Sequence, residues 1–208
     1  MATGTGKSKG SRSGARDGDT AQRILDVAEQ LVQVRGFNAV SYADVAGELG
    51  ITKAALHYHF SGKAELGQAL IDRYTSRFEH ALEAIEAEPS PASAKLEAYL
   101  GLYVDVLRAG RMCLCGMLAA EYETLSEGLR DSLLHFFDDN EAWLARVLEQ
   151  GRKEGDLHFE GAPIDTARAL ISGLEGAMLV ARPYADPARF ERSGGALLAT
   201  LAGIDRKS

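Results

Sequence analysis

Hydroxyl, cationic, imidazole and aromatic side chains follow one another between residues 52 and 63, and together they could bind a polyanion. They are Thr52, Lys53, Ala54, Ala55, His57, Tyr58, His59 and Lys63. Hydroxyl and cationic groups donate to phosphate oxygens and to base acceptors, and small methyl-bearing residues contact thymine methyls. Between residues 41 and 63 only Asp44 and Glu48 are acidic. The composition of this segment therefore predicts contact with nucleic acid.

Two short helices are predicted to position these side chains. Ser41 followed by Asp44 is a capping-box signature, and Gly50 suits the end of the helix that begins there. Thr52 is placed to cap a second helix. A tight turn between two helices predicts a helix-turn-helix over residues 41–60. At about 1.5 Å per residue, the second helix is roughly 12 to 14 Å long and fits a major groove about 12 Å wide.

The rest of the chain is predicted to be all-α, with about nine helices in total. Apolar residues recur every three to four positions, and no segment alternates as a half-buried strand does. We expect the first helix to begin at Thr20 and the fourth to be capped by Ser61. Residues 1–18 contain five glycines and three serines with several basic residues. That composition predicts a disordered basic arm, because it buries too little apolar surface to offset the ordering entropy.

The charge is distributed unevenly along the chain. The formal net charge is −7, which argues against a polyanion partner for the chain as a whole. Residues 1–75, however, carry 9 basic and 8 acidic residues, a balance of +1, whereas residues 76–208 carry 14 and 22, a balance of −8. The amino-terminal part therefore remains compatible with DNA, and the acidic part is expected to limit non-specific DNA binding.

Compartment and chemistry are constrained mainly by what the sequence lacks. Two cysteines one residue apart do not form the spread pattern of a secreted disulfide framework, and no segment reads as a signal peptide or a membrane span. We therefore expect a cytoplasmic protein. Gly6, Lys7 and Ser8 look like the end of a phosphate-binding loop, but the required earlier glycine is absent. With no zinc-protease or nucleophile-elbow motif either, we predict no catalytic residues, no cofactor, no metal and no enzymatic activity.

Residues 20–66 resemble the TetR family of bacterial transcriptional repressors, through RILDVAEQLVQVRGF, SYADVAGELGITKAALHYHF and SGKAEL. The resemblance implies DNA contacts at Tyr42, Lys53, Ala54, Ala55, His57, Tyr58, His59 and Lys63, with Lys63 and the amino end of the fourth helix on phosphates. His57 stands where a tyrosine is more usual. The same resemblance implies a helix-turn-helix DNA-binding domain at 19–66 and a helical effector-binding and dimerisation domain at 67–208.

The resemblance further implies a homodimeric repressor that a small apolar or aromatic effector releases from a palindromic operator. Aromatic, methionine and cysteine side chains of the second domain are the candidate pocket walls: Tyr99, Tyr103, Cys113, Met117, Tyr122, Phe136, Phe137, Trp143 and Met178. The dimer is expected to form through helices near 165–182 and 187–202. Small and apolar residues suggest that seam, namely Leu170, Gly173, Leu174, Gly176, Ala177, Leu197 and Leu201.

Cys113 and Cys115 leave an alternative open. They follow Gly110 near Arg108 and Arg111, and both a helix amino end and nearby cations favour a thiolate. The segment MCLCGMLAAEYETLSEGLR also resembles the family branch that includes redox- and electrophile-responsive repressors, which makes Cys113 the better sensor. The other reading of both cysteines is a small buried hydrophobe. Alternative functions are therefore a repressor that senses through Cys113, and a helical small-molecule-binding protein that does not use its DNA motif.

Overall fold

The computed structural model describes the backbone of residues 11–201 and the side chains of residues 18–201. This part of the chain forms nine α-helices and contains no strand, which confirms the predicted all-α fold. The helices are α1 Ser11–Arg35, α2 Tyr42–Leu49, α3 Lys53–His59, α4 Lys63–Ala87, α5 Ala92–Arg108, α6 Leu114–Ala119, α7 Glu127–Glu154, α8 Pro163–Ala181 and α9 Pro187–Ala199. Two short 3-10 helices, Tyr122–Thr124 and Arg182–Tyr184, follow α6 and α8.

The first helix begins earlier than the sequence predicts. α1 starts at Ser11 rather than at Thr20, so the structure describes the backbone of residues 11–18, which the sequence analysis assigned to the arm, as helical. The prediction counted only the burial that each residue could gain. A helix that has already formed, here anchored by buried Ile24 and Ala28, extends at one hydrogen bond per added residue and needs no new nucleus. Residues 1–10 of the predicted arm lie outside the described part of the chain.

The helix-turn-helix is capped as its sequence predicts. The Asp44 carboxylate accepts the Ser41 N–H at 2.8 Å, while the Ser41 hydroxyl accepts the Asp44 N–H at 3.3 Å. Gly50 ends α2 with a φ of 64°, in the left-handed region that glycine adopts without strain. The Thr52 hydroxyl then accepts the Ala55 N–H at 3.1 Å. These caps fix the angle at which α3 leaves the turn.

The fourth helix starts differently from its prediction. Gly62, not Ser61, is the N-cap residue of α4, and no side chain among the described residues caps it. Ser61 instead donates its N–H to the Glu65 carboxylate at 2.8 Å, together with its hydroxyl. The Glu65 carboxylate in the first turn thus binds the two Ser61 donors that precede the helix.

Each half of the molecule has its own part of one continuous core. In the first half Ile24, Val45 and Leu56 are fully buried between α1, α2 and α3. In the second half aromatic rings dominate, and Tyr99 packs against Phe78 and Trp143 at centroid distances of 6.0 and 5.7 Å. Helix α4 belongs to both halves, because its Leu66 and Leu70 lie in the first and its Tyr74 and Phe78 reach the aromatic rings of the second. No helix among the described residues is long and apolar enough to cross a membrane.

Candidate nucleic-acid interface

Helix α3 buries one side chain completely and exposes most of the others. Leu56 is 0% exposed and anchors the helix, whereas the Tyr58 side chain is 77% exposed. The other predicted contact residues of this helix divide by exposure: Thr52, Lys53, Ala54 and His57 are exposed, and Ala55 and His59 are half-buried. The exposed face therefore carries a hydroxyl, an ammonium, an imidazole and a phenol, which can donate to phosphates and base edges.

Two of the predicted contact residues also hold the turn after α3. The Tyr42 hydroxyl donates to the Phe60 carbonyl at 3.0 Å, and the His57 Nδ1 lies 3.2 Å from the Ser61 carbonyl. The rings of Tyr42 and His57 lie 4.6 Å apart. Burial, with a smaller contribution from Glu65, raises the pKa of Tyr42, so its hydroxyl keeps its proton. These two residues position α3 against the start of α4.

Lys63, predicted to contact a phosphate, is directed toward the protein. Its Nζ donates to the Asn38 carbonyl at 3.2 Å and lies 4.8 Å from the centre of the Phe37 ring. Burial lowers the pKa of Lys63, and the nearby Glu121 carboxylate partly opposes that shift. A phosphate must therefore compete with Asn38 and Glu121 for this ammonium group.

The second half of the molecule forms direct hydrogen bonds with the turn between α1 and α2. The Glu121 carboxylate accepts the Asn38 N–H at 2.8 Å, and the Asn38 side-chain amide donates to the Thr124 hydroxyl at 2.7 Å. Gly36, at a φ of 92°, allows this approach, because a Cβ there would lie 2.6 Å from the Glu121 Oε1. The segment after α6 is thereby bonded to the loop that precedes α2.

Most of the predicted pocket residues lie in the core of the second half of the molecule. Tyr103, Cys113, Phe136 and Met178 are all buried in the aromatic core. There the Tyr99 hydroxyl lies 3.1 Å from the Tyr103 hydroxyl and donates to the Asn140 Oδ1 at 3.2 Å. Among the described residues Phe137 is half-buried beside Phe136, at a centroid distance of 5.4 Å. The structure shows these rings in contact with one another.

The other three predicted pocket residues lie apart from that cluster. Trp143 packs on Tyr99 and also lines an open groove of about 560 Å³ between α4 and α7. Met117 lies close to the Gly36 turn, and Tyr122 lies under the Arg130 guanidinium at 4.9 Å. Both are half-buried. The sequence analysis assigned all nine of these residues to the walls of one pocket, and spacing along separate helices could not establish that they meet.

The cysteines lie beside a buried carboxyl group that the sequence analysis missed. The Tyr74 hydroxyl donates to the Cys113 sulfur at 3.5 Å, and the Cys113 N–H donates to the Met178 sulfur at 3.2 Å. Within the part of the chain that the structure describes, the Glu175 Oε1 is buried without a hydrogen-bond partner. A Cβ on Gly116 would lie 2.3 Å from the Glu175 Oε2, so the carboxyl occupies space that only glycine leaves open.

These groups strongly shift one another's pKa values. A hydrogen bond from Cys115 outweighs burial and lowers the pKa of Cys113 to about 6, with smaller contributions from the Gly116 N–H, Tyr74 and Glu175. Burial raises the pKa of Cys115 and of Glu175. The sequence did carry a signal for Glu175, since it is the one carboxylate in the apolar stretch LISGLEGAMLVA at 170–181.

The apolar residues predicted for the dimer seam mostly pack within the chain. Leu170, Leu174 and Leu201 are buried. Gly173 allows Leu197 of α9 to approach, because a Cβ there would lie 2.9 Å from the Leu197 side chain. Helix α8 also exposes apolar groups, since Leu179 and Val180 are 60% and 57% exposed. No described residue lies within 4 Å of a Cβ placed on Gly176 of this helix.

Two family models match the chain and cover both halves of this architecture. The model described as "Bacterial regulatory proteins, tetR family" matches residues 24–70, which include α2 and α3. The model described as "Tetracyclin repressor-like, C-terminal domain" matches residues 92–197, from the start of α5 into α9.

Individual relatives agree with the family models. The probable HTH-type transcriptional regulator ArpR of Pseudomonas putida is 37% identical over 78% of this chain and 81% of its own length. The HTH-type transcriptional repressor NemR of Escherichia coli K12 is 27% identical over 79% of this chain and 84% of its own length. A crystal structure of a TetR-family transcriptional regulator from Agrobacterium tumefaciens is 30% identical, with a TM-score of 0.86 over 90% of this chain and all of that one.

Proposed function

The chain belongs to the TetR family of bacterial regulatory proteins and is a DNA-binding transcriptional regulator, and from this premise we propose that it is a homodimeric repressor that leaves a palindromic operator when an effector acts on its second domain. Curated relatives include proteins named as repressors. As a member of a family of regulators it acts by binding, and we assign it no catalytic step.

The exposed face of α3 is the observation that carries this proposal. Leu56 and the caps at Ser41 and Thr52 hold the helix rigidly, so that Lys53 and Tyr58 project away from the core. A fixed helix that presents polar side chains which the fold does not use, here Lys53 and Tyr58, is suited to major-groove recognition. Tyr42 and His57 fix the turn after α3 through the Phe60 and Ser61 carbonyls, and their other hydrogen-bonding positions are proposed to contact DNA.

Removal of one ammonium group from α3 tests the DNA interface. We expect Lys53→Ala to weaken binding to the selected operator and to reduce the slope of log affinity against log salt by about 0.9, the value for one lost phosphate contact. Lys153→Ala is the matched control, because that lysine is 71% exposed on α7, in the other half of the molecule. Fluorescence anisotropy with a labelled operator measures both variants.

The result separates the repressor from a helical binding protein that carries an unused motif. A repressor prefers one palindrome over random DNA at every salt concentration, and Lys53→Ala lowers its affinity more than Lys153→Ala does. If no palindrome is preferred, or if both lysine variants behave alike, α3 does not read DNA and the proposal fails.

The dimer is proposed to use the exposed apolar face of α8, around Leu179, Val180 and Gly176. A carboxylate at position 179 would be desolvated in a helix-helix seam, so Leu179→Glu is expected to give monomers in sedimentation experiments and to lose operator binding. Leu134→Glu is the matched control, since Leu134 is 50% exposed on α7. Monomers from the Leu134 variant, or dimers from the Leu179 variant, would place the seam elsewhere.

A second candidate, sensing through Cys113, is favoured by the lowered pKa of that thiol. A thiolate is the reactive form, and the hydrogen bond from Cys115 lowers the pKa of Cys113 to about 6, which favours the thiolate at neutral pH. Because Cys113 is only 2% exposed, a reagent reaches its sulfur only when the surrounding core opens. We expect its alkylation by iodoacetamide to rise with pH to a plateau above about pH 7, whereas the raised pKa of Cys115 predicts little reaction there. Mass spectrometry of the modified peptides measures both rates.

This candidate also predicts the effect on DNA. Alkylation of the wild-type protein should release the operator, and the Cys113→Ser variant should keep the operator after the same treatment. Equal release of the two proteins would remove Cys113 as the sensor and leave a reversible small-molecule effector as the signal.

A further inference from the structure

A cleft opens where the ends of α5 and α8 meet, away from the aromatic core. Its volume is about 290 Å³, and it is bounded by the turn after α5, the 3-10 helix after α8 and the first residue of α9. Its apolar walls are Leu107, Met112, Ala181 and Pro187. A cavity of this size is at the lower end of the range for small-molecule sites, so it suits a single-ring compound.

The cleft also carries more positive charge than its own carboxylates balance. Three arginines and one aspartate line it: Arg108, Arg111, Arg182 and Asp186. Arg108 pairs with Glu191 at 2.8 Å, and Asp186 pairs with Arg192 at 3.3 Å. Within residues 18–201, neither Arg111 nor Arg182 has a carboxylate within 4.0 Å. Two guanidinium groups at the cleft therefore lack an anionic partner in this part of the chain.

These two arginines reach from the second domain to the last turn of α1. The Arg182 guanidinium donates to the Val34 carbonyl and lies 3.5 Å from the Met117 sulfur. Arg111 donates to the Gln33 side-chain carbonyl at 3.5 Å. The carboxyl end of a helix carries partial negative charge, so cations are favourable there. Among the described residues, the acceptors by which these two arginines contact α1 are neutral.

We propose that the cleft binds a small aromatic carboxylate, whose anionic group takes Arg182 and Arg111 from the end of α1 while its ring lies on the apolar walls. A carboxylate accepts two parallel N–H bonds from a guanidinium group and forms stronger bonds than neutral carbonyls do. The inference rests on the proposed function, because it names the class of effector and a site for it. Ligand and α1 compete for the same two side chains, so binding is coupled to the position of the DNA-binding domain.

Benzoate is the probe, and its binding to the full chain is measured by calorimetry without DNA. We expect benzoate to bind at least tenfold more tightly than benzamide, which has the same ring and shape but no charge. Arg182→Gln and Arg111→Gln should each raise the dissociation constant at least tenfold. Arg168→Gln is the matched control, because Arg168 lies on α8 but pairs with Glu141 outside the cleft, and it should leave benzoate binding unchanged.

Operator binding is measured separately, which keeps the two proposals distinguishable. Benzoate should lower the operator affinity of the wild-type protein and of Arg168→Gln, and should have little effect on Arg182→Gln. If benzoate does not bind, binds no better than benzamide, or binds all three variants equally, the arginines only cap α1 and the inference is overturned, even where operator binding is intact. A protein that binds benzoate but no operator overturns the proposed function alone.

Discussion

Helix α3 and the core around Cys113 use similar polar groups in opposite settings. On α3 the phenol of Tyr58 is exposed to solvent, whereas the phenols of Tyr74, Tyr99 and Tyr103 are buried among other rings. Burial raises the pKa of all three buried tyrosines. An exposed polar group can exchange water for a DNA atom at little cost to the fold. A buried polar group has already been desolvated, so a change in its charge alters the stability of the fold around it.

This difference predicts that recognition and stability can be separated on α3 but not in the second domain. Substitution of exposed α3 side chains should change binding alone. Substitution of the groups around Cys113 should change the stability of the folded state itself. A sensor domain needs this property if a chemical change in its core is to alter the DNA-binding half.

The largest effect is expected within α3 itself. Leu56→Ala removes a side chain that is 0% exposed and should lower the free energy of unfolding by about 2 to 5 kcal/mol. Tyr58→Ala alters a surface position and should change that free energy by no more than about 0.5 kcal/mol. Urea denaturation gives both values. The Tyr58 variant should nevertheless bind the operator at least tenfold more weakly, because an aromatic donor is lost from the groove-facing side.

The comparison fails if the two variants do not differ in this way. A Tyr58 variant that is as unstable as the Leu56 variant would mean that Tyr58 is part of the fold. A Tyr58 variant with wild-type stability and wild-type operator affinity would mean that the exposed face of α3 is not the reading face.

The amino-terminal half could be predicted well because its determinants are local. The capping box at Ser41 and Asp44, the turn at Gly50 and the cap at Thr52 are each set within four residues, and the structure contains all three. The start of α1 was missed because helix propagation from a distant anchor is not visible in composition. The orientation of Lys63 depends on Asn38 and Glu121, which are far away in sequence.

The second half was predictable as a set of helices but not as a site. Periodicity identified the buried faces of α4, α5, α7 and α8, and it gave no information on which faces meet. Glu175 reaches Cys113 only because Gly116 leaves room for its carboxyl group, a fact that depends on the packing of α6 against α8. The same applies to the apolar residues predicted for a dimer seam. Leu170 and Leu174 are buried within the chain, and their spacing does not distinguish a contact within one chain from a contact between two chains.

The next largest effect concerns the carboxyl group of Glu175. Its pKa is raised by burial, so the folded state keeps a proton that the unfolded state releases above about pH 4.3. Stability is therefore lost as pH rises through and beyond that value. Glu175→Gln cannot ionise, and we expect it to be more stable than the wild type by roughly 1 to 3 kcal/mol at pH 8, with a smaller difference at pH 5.

Thermal or urea unfolding at several pH values checks this expectation. Glu83→Gln, on the exposed surface of α4, is the control and should follow the wild-type pH dependence. If Glu175→Gln raises the free energy of unfolding by the same amount at every pH, the carboxyl group does not hold an extra proton in the folded state. Glu175 would then behave like an exposed polar group and not like a buried one.

The smallest effect is expected where the two halves meet. Glu121→Gln keeps an oxygen that can accept the Asn38 N–H but removes the negative charge that attracts Lys63. The Lys63 ammonium should then reach a phosphate more readily, so operator affinity should rise about two- to fivefold and the salt slope should become steeper by about 0.9. Glu123→Gln is the control, because that carboxylate is 90% exposed and lies beside Arg130. An unchanged salt slope in the Glu121 variant would show that Lys63 serves only to hold the Asn38 turn. Lys63 would then belong with the groups that build the interface between the halves, and not with those that read DNA.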